Sequence, residues 1–176
     1  LLDSAGARIQ EAAGSLFAGS GFLFREEVVM SGVIPQIAAL MGPCAAGTAY
    51  IPGLADFVPM VKGRGSMALA GPHLVKAVTG EDVTQEELGG SKIHTKVSGV
   101  GDLEVKSDEE CIQAIKDYLS YMPSHSGEKT PRQATEDPIH RAADELMSIL
   151  PESNRQPYDM YELIKRIVDD GEYLDM

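Results

Sequence analysis

The sequence has no tryptophan, and four phenylalanines and six tyrosines supply all of its aromatic side chains. It has two cysteines, Cys44 and Cys111, in 176 residues. That is too few for a disulfide scaffold and points to a reducing compartment. Basic residues are also scarce: 15 lysines and arginines stand against 27 acids, a net charge of −12, with a pI near 4.7. A nucleic-acid backbone as main partner needs a basic face, so that class is excluded, although a small anion held by a few local groups is not. No apolar run approaches the roughly 20 residues of a membrane helix before Gly, Pro or a charge interrupts it. The opening Leu1-Leu2-Asp3 has neither the basic region nor the small-residue cleavage site of a signal peptide.

What is present is ordinary globular material. Hydrophobic residues make up 43% and charged residues 24%, and a chain of this length buries about 70% of its unfolded surface, enough for a real core. The charge is uneven. Residues 1–100 carry nine acids and seven bases, whereas residues 101–176 carry eighteen acids and eight bases. The front half is glycine-rich and nearly neutral; the back half is acidic.

Periodicity gives a coarse map. Residues 9–17 and 22–30 read as helices and 33–41 as a buried strand, despite Pro35. Residues 44–55 read as a helix, 57–61 and 65–69 as strands, and 72–78 as a helix. Thr84 caps a short helix ending at Gly89-Gly90. Strands alternating with helices predict an α/β core with crossover connections over 1–105, followed by C-terminal helices over 106–176. In the latter, Ser107 starts a helix whose stripe is Ile112, Ile115, Leu119 and Met122. Residues 123–131 form a Pro-bounded loop. Asp137-Pro138 starts a second helix with Ile139, Ala143, Leu146 and Leu150 as its stripe. Asp159 starts a third, with Met160, Leu163, Ile164, Ile167 and Val168 on its buried face.

Two glycine-bearing turns lead into helices: residues 3–11, containing Ser4-Ala5-Gly6-Ala7-Arg8, and residues 41–49, containing Gly42-Pro43-Cys44-Ala45-Ala46-Gly47-Thr48. Small residues there let a ligand approach the backbone, and two amides aimed at one carbonyl oxygen make an oxyanion hole. Neither turn has the spacing of a dinucleotide or phosphate loop. No Gly-x-Ser-x-Gly elbow occurs. His73, His94, His125 and His140 are scattered without metal-ligand spacing, and Cys44 has no partner cysteine nearby, so no metal site is expected. His94 reads as structural. Cys44 reads as a small core residue or as a thiol near a helix start. The remaining option is a site built from backbone donors.

These turns resemble those of a known family. Ser4-Ala5-Gly6-Ala7-Arg8-Ile9-Gln10-Glu11 resembles the Ser-Gly-Gly-Ala-Arg-Ile-Gln-Glu motif of the carboxyltransferase (beta) subunits of biotin-dependent acyl-CoA carboxylases. Gly42-Pro43-Cys44-Ala45-Ala46-Gly47 resembles their Gly-Pro-Cys-Ala-Gly-Gly turn. Ser31 to Ile37, Tyr50, Pro52, Asp56-Phe57, Gly71-Pro72, Gly80 to Val83, Glu86 to Gly90, His94, Ser98 to Val100 and Tyr158 to Met160 follow in the family's order. The resemblance implies a partial crotonase-like (ββα superhelix) α/β fold. It implies that residues 1–176 are the later part of the first, acyl-CoA-binding domain of a longer subunit, without the second domain.

The activity implied is transfer of CO2 from carboxybiotin to the α-carbon of a short acyl-CoA. The base comes from biotin carried on a partner, so the absence of an acid–base pair is expected. The resemblance gives the enolate oxyanion hole to the amides of Ala46 and Gly47, with Ala7 and Gly47 as the alternative pair. It places Ser4, Gly6, Ala7, Arg8, Ala45 and Thr48 against the CoA thioester, with Arg8 meeting a CoA phosphate or a nearby acid. Implied partners are a biotin carboxylase/biotin carrier subunit and further copies of the chain in a hexamer, in the cytoplasm or the mitochondrial matrix. Ala5 and Ala46 depart from the family's glycines, and Thr48 from a small residue. If position 46 needs positive φ, the methyl costs on the order of 1 kcal/mol; the favoured alternative is that the methyl trims the acyl pocket and bears on substrate choice. Three rival readings stand beside this one: a carboxyacyl-CoA decarboxylase of the same family, a non-catalytic scaffold subunit, and a crotonase-type hydratase. The hydratase is disfavoured because Thr48 and Tyr50 occupy positions where its paired acids belong.

Overall fold

A computed structural model describes residues 1–12, 14, 19, 21–141 and 144–176. The chain divides into two compact units, Leu1–Pro131 and Arg132–Met176.

The first unit is built on a parallel sheet. β1 (Leu2–Ser4) leads to the short helix α1 (Ile9–Ala12) and to α2 (Gly21–Met30). β2 (Leu40–Ala45) continues through a 3-10 turn (Ala46–Ala49) into α3 (Tyr50–Leu54). β3 (Pro59–Val61) and β4 (Ser66–Ala68) follow, then α4 (Pro72–Thr79), α5 (Gln85–Gly89), α6 (Ser91–Ile93), a π-turn (His94–Ser98), β5 (Leu103–Val105) and α7 (Asp108–Ser120).

β2 is the hub. It pairs with β1 on one side, while on the other its start meets β3 (Leu40 opposite Met60) and its end meets β4 (Pro43, Cys44 and Ala45 opposite Ser66, Met67 and Ala68). β5 extends the sheet beyond β3, and every pairing between these strands is parallel. Leu40, Cys44, Val58, Met60 and Met67 form one buried cluster at the hub. β3 is buried throughout, whereas burial alternates along β2 between fully and partly buried positions.

The expected strand over 33–41 sits further along, at Leu40–Ala45, preceded only by a bridge from Ile37 to Phe57. The expected helix over 44–55 begins as strand: Cys44 and Ala45 end β2, and α-helix starts only at Tyr50. Gly42-Pro43 is therefore strand, not turn. Gly42 is buried there because the Asp3 side chain occupies the space that its Cβ would fill. Of the helix expected over 9–17, Ile9–Ala12 is helical, and residues 13 and 15–18 lie outside those described.

α7 starts at the expected cap, with Ser107 Oγ accepting from the Glu110 amide at 3.2 Å. Its buried face is Cys111, Ala114 and Tyr118; Ile112 and Leu119 are exposed. Tertiary packing sets this rotation. Tyr118 stacks on Phe57, with ring centroids 4.5 Å apart and planes 5° from parallel, and the small Cys111 and Ala114 let the helix close on the sheet.

In the second unit, Asp137-Pro138 starts no helix. The Asp137 carboxylate instead pairs with Arg141 at 3.0 Å, Ile139 is 96% exposed, and helix begins only at Leu146 (α8, Leu146–Ile149). Ala143 of the expected stripe lies outside the described residues. α9 (Met160–Ile167) starts as expected, with the Asp159 carboxylate accepting from the Tyr161 amide at 2.9 Å, but none of its residues is fully buried.

Candidate functional site

β1 and β2 are parallel neighbours, so their C-terminal ends lie together, with Ser4 opposite Cys44. The two glycine-bearing turns therefore leave the sheet side by side. They touch: a Cβ on Gly6 would stand 3.2 Å from the Ala45 carbonyl oxygen and 3.4 Å from the Ala46 methyl carbon. Gly6 has φ +91°, so both its conformation and its neighbour call for glycine.

In the second turn Ala45 is still extended (φ −119°, ψ 152°), and Ala46 then switches to the left-handed region at φ +56°. This reversal swings the chain from strand into the 3-10 turn. Position 46 thus takes the positive φ, the less favoured of the two alternatives read from the sequence, and an alanine there carries strain of about 1–2 kcal/mol. The Thr48 hydroxyl donates to the Ala45 carbonyl at 2.7 Å, and the Cys44 thiol donates to the Thr48 carbonyl at 3.1 Å. Both bonds hold the reversal from inside.

Ala46 and Gly47 are exposed, and their amides precede the first donor of the 3-10 turn, so neither has a partner within it. The Ala46 amide lies on the edge of the chain that pairs with β4, where Ala45 stands opposite Ala68, so the Gly47 amide is this turn's donor without a helical partner. In the first turn the Gly6 amide is engaged by Ser4 Oγ at 3.3 Å, while the exposed Ala7 amide donates to no group among the described residues. The turns thus bring together Ser4, Gly6, Ala7, Ala45, Ala46, Gly47 and Thr48. Arg8 faces elsewhere: its guanidinium pairs with Glu11 at 3.2 Å on the exposed start of α1.

Burial raises the Cys44 pKa above its ordinary value, partly opposed by the Thr48 contact, and the side chain is 1% exposed. It is a protonated core thiol and not a nucleophile. His94 is structural: Nε2 lies 2.9 Å from the Met67 carbonyl and Nδ1 lies 2.9 Å from Ser98 Oγ, tying the π-turn to β4. Gly89 completes this joint, since a Cβ there would collide with the Met67 carbonyl.

A cleft of about 230 Å³ opens beside Ala5 and Ala45 and is lined mainly by apolar groups, among them Pro43, Met67, Ala68 and Leu88. Among the described residues, no carboxylate or imidazole lines it. Residues from β4 and α5 enter this site only through tertiary pairing, so no local spacing in the sequence marks them.

The whole chain, residues 1–176, matches the family model described as "Carboxyl transferase domain". It is 46% identical over 174 residues to the methylmalonyl-CoA decarboxylase subunit alpha of Veillonella parvula, covering 99% of this chain and 34% of that protein. It is 44% identical over 176 residues to the mitochondrial propionyl-CoA carboxylase beta chain of Homo sapiens, covering 100% of this chain and 32% of that protein. Among solved structures, the hexameric transcarboxylase 12S with hydrolysed methylmalonyl-CoA bound superposes with a TM-score of 0.90 at 39% identity, covering 98% of this chain and 34% of that one. The chain thus spans about a third of the length of these relatives. The fold is the crotonase-like α/β fold expected from the turn motifs, and the chain belongs to the carboxyl transferase domain family.

Proposed function

We propose that this chain supplies the acyl-CoA side of carboxyl transfer in a biotin-dependent carboxylase, adding CO2 to the α-carbon of a short acyl-CoA. One observation carries the reading: two turns at the ends of adjacent parallel strands present the amides of Ala7 and Gly47 beside an apolar cleft. The thioester carbonyl accepts from these amides. Negative charge grows on that oxygen as the α-proton leaves, so the amide bonds strengthen toward the enolate and stabilise it by about 3 kcal/mol per donor. Fixing the thioester between the two turns also orients its α-carbon.

Biotin, held on a partner's carrier domain, supplies the CO2 and the base for the α-proton. The donor set of this chain fits that division, since the site offers hydrogen bonds and, among the described residues, no side-chain base. Partners are accordingly a biotin carboxylase/biotin carrier subunit and, by the hexamer of transcarboxylase 12S, further copies of the chain. The exposed Arg8 is free to exchange Glu11 for a CoA phosphate, because a surface pair of this kind is worth little.

The test uses the natural protein with its biotinylated partner, ATP and labelled bicarbonate. Label enters propionyl-CoA or acetyl-CoA if the reading holds; no labelled product from any short acyl-CoA overturns it. A second reading, decarboxylation of a carboxyacyl-CoA onto biotin, is favoured by the likeness to methylmalonyl-CoA decarboxylase subunits. The same amides serve the same enolate in reverse, and biotin-dependent CO2 release from methylmalonyl-CoA without ATP distinguishes it.

A further inference from the structure

Two clefts meet at α5. The small apolar one described above has Leu88 on its wall. A more open groove of about 560 Å³ lies alongside and is lined by polar and charged groups, among them Asp3, Arg64, Thr84 and Glu86. Three residues line both: Pro43, Ser66 and Gln85. Gln85 Nε2 donates to Ser66 Oγ at 2.7 Å, so the boundary between the two spaces is a hydrogen bond between two side chains, with the Pro43 ring beside it.

Both ends of that bond are anchored. Ser66 is 5% exposed, sits opposite Pro43 in the sheet and bridges to Gly90 on its other side. Gln85 is the first residue of α5, whose start is fixed by reciprocal bonds: the Glu87 carboxylate accepts from the Thr84 amide at 2.9 Å, and Thr84 Oγ1 accepts from the Glu87 amide at 3.2 Å. Gln85 is itself exposed, so the cap fixes its backbone and the bond to Ser66 is what holds its side chain across the boundary.

We propose that the Gln85–Ser66 pair is the end wall of the acyl pocket and sets the longest acyl chain that the site accepts. This rests on the acyl-CoA reading given above. A short chain entering beside Ala5 and Ala45 ends against apolar groups. A longer one has to part Gln85 from Ser66, leave a buried hydroxyl without its partner and push methylenes into a polar groove. Gln85 and Ser66 are specificity residues in this account and take no part in the chemistry.

The experiment measures calorimetric dissociation constants of acetyl-, propionyl-, butyryl- and hexanoyl-CoA for the natural protein and its Gln85→Ala, Gln85→Leu and Ser66→Ala variants, with melting temperatures to verify folding. The wild type should bind propionyl-CoA at least tenfold more tightly than hexanoyl-CoA. Gln85→Ala should reduce that ratio below threefold, Ser66→Ala should reduce it partly, and Gln85→Leu, which keeps the bulk, should restore it. A ratio that is flat in the wild type, or unchanged in folded Gln85→Ala, overturns this inference alone. Failure of the wild type to bind any acyl-CoA overturns the acyl-CoA reading and this inference with it.

Discussion

The methyl group of Ala46 faces the α-carbon of Gly6, so that a Cβ added to Gly6 would stand 3.4 Å from it. Two turns separated by some forty residues of sequence are thereby packed into one surface, and each has a residue at positive φ. Ala46 is the only alanine with positive φ among the described residues.

This contact predicts a sign difference between neighbouring substitutions. Ala45→Gly, at an extended position, adds only unfolded-state freedom and should cost about 0.5–1 kcal/mol. Ala46→Gly carries the same entropic cost but relieves about 1–2 kcal/mol of left-handed strain, so it should be neutral or stabilising. Gly6→Ala should lose about 1–2 kcal/mol from its φ of +91°, and more from crowding the Ala45 carbonyl. Urea midpoints of the three variants check the order; Ala46→Gly melting below Ala45→Gly would contradict it.

The two cysteines should be inert in the folded protein. Cys44 and Cys111 are 1% and 0% exposed, and burial raises both thiol pKa values. Iodoacetamide at pH 8 should leave the peptides containing them unmodified in the native protein and alkylate both in denaturant, as read by mass spectrometry. Rapid native alkylation of Cys44 would reopen it as a nucleophile.

Stability should depend on acid through Glu104. The Ser91 hydroxyl, fully buried, donates to the Glu104 carboxylate at 2.7 Å, and Lys62 lies 3.2 Å from its other oxygen. The Ser91 bond is the first cause of a carboxyl pKa held below the ordinary value of 4.5, with Lys62 adding to it against desolvation. Because the folded-state pKa is the lower one, the stabilisation is complete above the unfolded value and is lost as pH falls through the folded value. Ser91→Ala should therefore cost about 1–2 kcal/mol at pH 7, and its deficit against wild type should shrink below pH 4.5. Denaturant titrations at pH 7 and pH 3.5 check this; an equal deficit at both would place the effect in packing alone.

The parts of this molecule legible in its sequence are those that depend on local chemistry. Ser107, Thr84 and Asp159 start their helices because a cap bond spans only two or three residues. The turn motifs carried the family and with it the fold. Elsewhere a tertiary neighbour decided. Gly42-Pro43 has turn composition yet lies in β2, because glycine there answers to the Asp3 side chain across the strand pair and not to a bend. α7 rotates away from its Ile112 and Leu119 because Phe57 offers Tyr118 a flat partner. Ser66 and Gln85 lie nineteen positions apart and become neighbours only when α5 packs back against β4, where Gly90 bridges to Ser66.

Gly47 gives the most direct test of the oxyanion account. A side chain there meets nothing within 4 Å, so Gly47→Val should fold like the wild type while its branched group crowds the approach to the Gly47 amide. The measurement is single-turnover transfer of labelled CO2 from the carboxylated biotin carrier to propionyl-CoA by the natural protein. The account predicts a rate at least about a hundredfold lower in Gly47→Val with an unchanged melting temperature; a folded Gly47→Val protein that transfers label at the wild-type rate would contradict it.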